Sequence, residues 1–172
     1  MTARMAKDTD FQLFIQRILK SEGGYVDDPN DPGGETQWGI SKRSYPNVDI
    51  KNLTRDGAIS IYKRDFWDVI LASEMYVSIA FVALDFAVNS GIQTAIRKLQ
   101  SSVGAADDGH WGPESQRLML KFSEPDVGFL FLAERLEYRA KLKSFTLYGA
   151  GWTNREATNC RYTAQDTEDS IQ

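Results

Sequence analysis

The chain has 172 residues, 42% hydrophobic and 26% charged, with a net charge of −4 and a pI near 5.1, so it holds enough apolar material for one core. The acidic balance excludes the basic footprint of nucleic-acid binding and a broad cationic attraction to anionic surfaces. One cysteine, Cys160, excludes an internal disulfide, and together with one histidine, His110, it is too few for a zinc- or thiol-dependent hydrolase.

Asp8-Thr9-Asp10 can cap a first helix, in which Phe11, Phe14, Ile15, Ile18 and Leu19 form one apolar face. Gly23-Gly24 ends it, so Glu22 sits at its C-terminal edge. The partial negative charge of a helix C-terminus disfavours an anion there and favours a protonated carboxyl, which is what a general acid requires. The plainer alternative is an exposed glutamate on a fraying helix end. The stretch Glu22–Ile40 is rich in carboxylates, glycines and prolines and cannot be helical, because Pro29, Pro32 and Gly33-Gly34 break each turn. Tyr25, Val26, Trp38 and Ile40 argue for order, so a short twisted hairpin is expected, with its turn near Gly33-Gly34.

Ser41–Tyr45 reads as a short turn stopped by Pro46. Thr54 can cap a helix that carries Ala58, Ile61, Tyr62 and Phe66 inward. Glu74–Ser90 is apolar almost all round, the pattern of a central helix, and Gly91 terminates it. Asp85 and Asn89 lie one turn apart on this helix. They are either a polar pair satisfied in the core or a cleft-facing stripe that contacts ligand.

Further helices are expected over about Gln93–Val103, from Pro113, and from Ser123-Glu124-Pro125 to about Phe145, the last burying Phe129, Leu130, Leu132, Ala133 and Leu136. Gly149-Ala150-Gly151 should break that run before a final helix or hook to Arg161. Residues 163–172 have little to bury and are expected to be a disordered tail. The expected organisation is one domain over 8–162, with halves 8–103 and 104–162. No signal peptide or membrane span is visible: Met1–Asp10 is polar, and the apolar run Val77–Val88 is short and contains Asp85.

Carboxylates in a loop point to glycoside cleavage, a divalent-metal site or a purely structural loop. Glycoside cleavage needs two carboxyl groups flanking the bond. Glu22 and Asp31 can supply them, Thr36 can hold the attacking water, and Tyr25, Trp38 and Tyr45 can stack on sugar faces or simply pack. Asp28-x-Asn30 begins like a calcium loop but places Pro32 and Gly39 where ligands are needed, so no metal site is expected.

The pattern Glu22-Gly23-Gly24-Tyr25-Val26-x-Asp28-Pro29-x-Asp31-x-Gly33-Gly34-x-Thr36-x-x-Gly39-Ile40 resembles the opening motif of glycoside hydrolase family 108, the N-acetylmuramidases that include many phage endolysins. Asp85-Phe86-Ala87-Val88-Asn89-Ser90-Gly91, Leu99-Gln100, Asp108-Gly109-x-x-Gly112-Pro113 and Gly151-Trp152-x-Asn154-Arg155 resemble the predicted peptidoglycan domain that usually follows it. The gap of eight residues from Glu22 to Asp31 matches that of phage-type lysozymes, whereas the four residues from Asp31 to Thr36 are one fewer than theirs.

The resemblance implies a mainly helical, lysozyme-like α+β fold with a small β-hairpin beside the active-site cleft. It also implies cleavage of the β-1,4 bond after N-acetylmuramic acid, with Glu22 as the acid. On this reading Asp31 and Thr36 assist, Tyr25, Trp38, Tyr45 and Asn89 contact substrate, and no cofactor is used. The partner is the peptidoglycan glycan strand, met by a monomer that does not insert stably in membranes. The protein would stay in the host cytoplasm before lysis and then act on the cell wall. The principal alternative is a non-catalytic peptidoglycan-binding module.

Overall fold

The computed structural model describes residues 3–21, 24–27 and 34–171. The chain forms two compact units, Thr9–Asp65 and Met1–Asp8 with Phe66–Gln172. This division differs from the halves expected to meet at 103/104. Among the described residues there are seven α-helices and one two-stranded antiparallel sheet, so the protein is mainly helical with a small hairpin, as expected.

In the smaller unit, α1 (Asp8–Ser21) buries Phe11, Phe14, Ile15, Ile18 and Leu19, the face its periodicity defines. Strands β1 (Thr36–Gln37) and β2 (Ile40–Ser41) pair antiparallel, and Val26 bridges to Thr36 on the other side. Helix α2 (Arg55–Tyr62) starts at Thr54, whose hydroxyl accepts from the Gly57 amide at 3.1 Å, and buries Ala58, Ile61 and Tyr62. A π-helical turn, Lys63–Trp67, follows.

In the larger unit, α3 (Val77–Ser90) is central: every residue from Val77 to Ala87 is buried. It packs against α4 (Ile92–Ser102), α6 (Glu124–Ala140) and α7 (Phe145–Ile171), and α4 also packs against α6. Pro113 opens α5 (Pro113–Met119). Glu124 is buried at the start of α6 and accepts from the Ser78 amide at 2.9 Å, which places a carboxylate on the positive end of α3. The chain's first residues join this unit, with Met5 bridging Tyr76 and the Ala6 amide reaching the Met75 carbonyl at 2.9 Å.

Two expectations are corrected. A tight turn lies at Trp38-Gly39, between β1 and β2, and the turn expected near Gly33-Gly34 falls on a segment that lies, up to Gly33, outside the described residues. Helix α6 buries Leu132 as expected but otherwise presents a different face inward: Phe129, Leu130, Ala133 and Leu136 are exposed, while Val127, Phe131, Arg135 and Arg139 are buried. Residues 145–171 form one continuous helix of 27 residues rather than a broken helix and a disordered tail. Helix-interior glycine costs about 1 kcal/mol each, and Gly149 and Gly151 are carried because α7 is held by polar contacts further along.

Those contacts centre on Asp85. Its carboxylate, 2% exposed, accepts from Arg135 (2.5 Å), Arg155 (2.6 Å) and Asn159 (2.9 Å). Glu156 lies within 3.0 Å of Arg135 and 3.2 Å of Arg139, at ion-pair distance but misaligned for hydrogen bonding. Further along α7, Thr163 and Thr167 are buried and return their hydroxyls to the carbonyls of Asn159 and Thr163. The tail therefore buries a polar stripe, which hydrophobic periodicity cannot register.

Burial alone would raise the Asp85 carboxyl, but the Arg135 and Arg155 guanidiniums overcome it and hold the group well below the usual carboxylate range. The unfolded chain therefore takes up a proton that the folded chain refuses. Stability from this group is complete above its ordinary value of 3.8 and is lost as pH falls below it. Burial pushes Glu156 the other way, so its ionisation opposes folding and that penalty fades in acid.

Asp85→Asn should lose about 3–5 kcal/mol near neutral pH, because the buried Arg135 and the partly buried Arg155 guanidiniums lose their anion. It should also flatten the loss of stability in acid. Denaturant unfolding across a pH series measures both. Glu124→Gln should cost about 1–3 kcal/mol by the same measurement.

Candidate functional site

The hairpin is built around a two-residue turn. Trp38 and Gly39 both take positive φ, 53° and 75°, the geometry that suits the right-handed twist of paired strands. Glycine adopts it without penalty. Tryptophan does not, and its conformation is held from two sides. Its indole N–H donates to the Leu53 carbonyl at 3.1 Å, and its own carbonyl accepts from the Tyr62 hydroxyl at 3.0 Å. Trp38 therefore fastens the turn to α2 and the segment before it, a role its sequence position did not disclose.

Thr36 occupies the middle of the small sheet. Its amide and carbonyl both pair with Val26, at 2.8 and 2.9 Å, and it faces Ser41 across the hairpin. Its half-buried hydroxyl donates to the Gly34 carbonyl at only 3.3 Å. A hydroxyl held this loosely, on a rigid backbone, keeps acceptor capacity for a water or a sugar hydroxyl.

Tyr25 is exposed, and its hydroxyl donates to Glu35 at 3.4 Å. Removal from solvent and the Asp27 and Glu35 carboxylates push its phenol up. The described part of the loop thus already gathers two carboxylates around one phenol. Glu35 went unnoticed in the sequence because it lies outside the spacing that marked Glu22 and Asp31. Tyr45 is half-buried and hydrogen-bonded to Asp65, and burial with that contact pushes its phenol up to about 12. It is a neutral hydrogen-bonding group at ordinary pH. Glu22 and Asp31, the expected acid and its partner carboxylate, lie outside the described residues, as do Asp28 and Asn30 of the calcium alternative.

Asn89 belongs to the other unit, near the end of α3. Its side-chain amide donates to the Asp85 carbonyl at 2.7 Å, and it lines a cavity of about 120 Å³ with Ser90, Tyr138, Arg139, Leu142 and Trp152. The stripe expected of Asp85 and Asn89 is divided: Asp85 is spent in the core, and Asn89 is exposed.

The downstream motifs acquire structural meanings. Arg155, in the last motif, grips Asp85, in the first. The buried Gln100 donates to Asp108 (2.8 Å), the His110 carbonyl (3.0 Å) and Ser115 (3.1 Å), and accepts from the Gly109 amide (2.9 Å), so one side chain gathers the loop before α5. Gly109 has φ 81°, and a Cβ there would meet Gln93 Oε1 at 2.2 Å. His110 is exposed, and burial pushes the Cys160 thiol up, away from the thiolate that nucleophilic chemistry needs.

Residues 15–91 match the family Glycosyl hydrolase 108. The matched segment contains the whole Glu22–Ile40 stretch and ends at Gly91, the residue that closes α3. The match supports a glycoside hydrolase. A solved structure of SagA from Brucella abortus is 28% identical, covers 96% of this chain and 100% of its own, and superposes with a TM-score of 0.87. That likeness runs through both units and gives the chain a lysozyme-like, mainly helical fold. No curated protein sequence matches the chain.

Trp38→Ala should destabilise the protein by about 3 kcal/mol, from the lost ring and hydrogen bond. Trp38→Gly loses the same contacts but removes the left-handed strain, so it should be more stable than the alanine variant by about 1 kcal/mol. Thermal unfolding of the pair measures the strain directly; equal stabilities would show that the turn carries none.

Proposed function

We propose that the chain is an N-acetylmuramidase that cleaves the β-1,4 bond between N-acetylmuramic acid and N-acetylglucosamine in peptidoglycan, acting as an endolysin that lyses bacterial cells. The observation that carries this reading is the family match over residues 15–91, which spans Glu22, Asp31 and Thr36 together. In the proposed mechanism Glu22 protonates the glycosidic oxygen. Asp31 stabilises the positive charge developing on the sugar or orients the attacking water, and the Thr36 hydroxyl assists by holding that water.

Three features support the assignment. Helix α1 ends at Ser21, the residue that precedes Glu22 in the sequence, as the helix-end reading of the sequence requires. The Thr36 backbone is fixed on both edges by strand pairing. The raised Cys160 thiol makes a cysteine mechanism a poor competitor. The proposed partner is the glycan strand, engaged by a monomer without a cofactor, with Tyr25 and Tyr45 as sugar contacts. Among the described residues no helix is long and apolar enough to cross a membrane. On this reading the protein waits in the host cytoplasm and meets the wall at lysis.

The test is mass spectrometry of the products from purified peptidoglycan. Wild-type protein should release fragments with muramic acid at the reducing end. Glu22→Gln should lower the rate by about 10²–10⁴-fold, and Thr36→Val by about 10–100-fold through a misplaced water. Intact glycan strands with wild-type protein bound to the wall would replace the enzyme with a binding module, and cut peptides would replace it with a peptidase.

A further inference from the structure

Arg139 is buried yet under-compensated. Its side chain is 4% exposed, and among the described residues its ion pair is with Glu156 Oε1 at 3.2 Å, an oxygen that Arg135 already holds at 3.0 Å. Among the described residues its Nη1 has no hydrogen-bond partner, and neither Glu156 oxygen is aligned to receive a hydrogen bond. A buried guanidinium stays charged, and an unpaired N–H on one costs more than a neutral donor does. Burial and the neighbouring Arg135 both press against its charge, while burial pushes Glu156 toward its neutral form. The site is short of an anion.

The room for one is adjacent. Arg139 lines the 120 Å³ cavity whose other walls are Asn89, Ser90, Tyr138, Leu142 and Trp152. Its guanidinium carbon lies 5.5 Å from the centre of the Trp152 ring. Trp152 in turn packs against Phe145 and Tyr148, at 6.2 and 5.9 Å between ring centres. The cavity lining thus combines a fixed cation, hydroxyl and amide groups and aromatic rings. This lining is too polar to be only a packing defect.

We propose that this cavity is a binding site for a small carboxylate, held by the guanidinium of Arg139 and bordered by Ser90, Asn89 and the Trp152 ring. The group would come from the end of a short peptide or from a free organic acid. The proposal stands independently of the glycan-cleaving reading, because its residues lie in the helical unit and its test does not involve bond cleavage. A planar guanidinium matches a carboxylate fork, and the low local dielectric strengthens the contact.

The experiment follows the Trp152 indole N–H by NMR while full-length protein is titrated with acetate, N-acetylalanine and N-acetylalanine amide. A saturable shift is expected with the carboxylates, with a Kd on the order of 1 mM, and none with the amide. Acetate binding as tightly as N-acetylalanine would mark a free organic acid as the occupant, and N-acetylalanine binding about tenfold tighter would mark a peptide end. Arg139→Gln should abolish the shift. Because that variant disturbs the ion network, Leu142→Trp, which puts a larger side chain on the cavity lining, provides a second probe and should weaken binding by about tenfold or more. Absence of saturable binding to wild-type protein, or equal binding of acid and amide, would overturn the proposal.

Discussion

Asp85 places a charge in the stretch of α3, Val77 to Ala87, that is buried all round. An isolated carboxylate in that position would be prohibitively unstable, so the surrounding chain must deliver cations and donors to it. Helix α6 delivers Arg135, and α7 delivers Arg155 and Asn159. Much else in the helical unit follows from that demand. Helix α6 turns Arg135 and Arg139 inward and leaves Phe129 and Leu136 in solvent, and α7 runs uninterrupted through two glycines. Aromatic packing accompanies the network: the Arg135 guanidinium lies 4.8 Å over the Phe86 ring, which also meets Phe131 and Tyr138.

A buried ion network of this kind is a weak source of net stability but a strong source of specificity, because any rotation of α6 or α7 leaves a charge unpaired. Close approach reinforces the fit: a Cβ on Gly128 of α6 would meet the Thr163 methyl of α7 at 3.0 Å. Polar register and steric register thus select the same pairing. The network's edge, at Arg139, is its least satisfied part, and that is where it meets the cavity beside Trp152.

The hairpin unit works by a different device. Few of its residues are in regular strands, and its geometry is set by single anchors: the Trp38 indole on Leu53, the Tyr62 hydroxyl on Trp38 and the Tyr45 hydroxyl on Asp65. Side chains that looked available for sugar stacking therefore carry structural hydrogen bonds at their polar ends. An aromatic ring fixed in this way keeps its orientation, and rigidity in a binding surface lowers the entropy lost when a ligand docks.

The sequence by itself determined the helical face of α1, the central burial of α3, the Thr54 and Ser123 caps, the proline that opens α5 and the acidic loop that the family match covers. These are local matters: periodicity, capping and φ preferences act over a few residues and are written in their order. Tertiary structure decided the turn at Trp38, the inward face of α6, the full length of α7 and the fate of Asp85. Each of those depends on a partner 15 to 74 residues away along the chain. Periodicity counts apolar side chains, so it assigned Phe129 and Leu136 to the core and saw nothing to bury after Thr163. The core of this unit is partly polar, and a polar core is legible only once the complementary charges have been brought together.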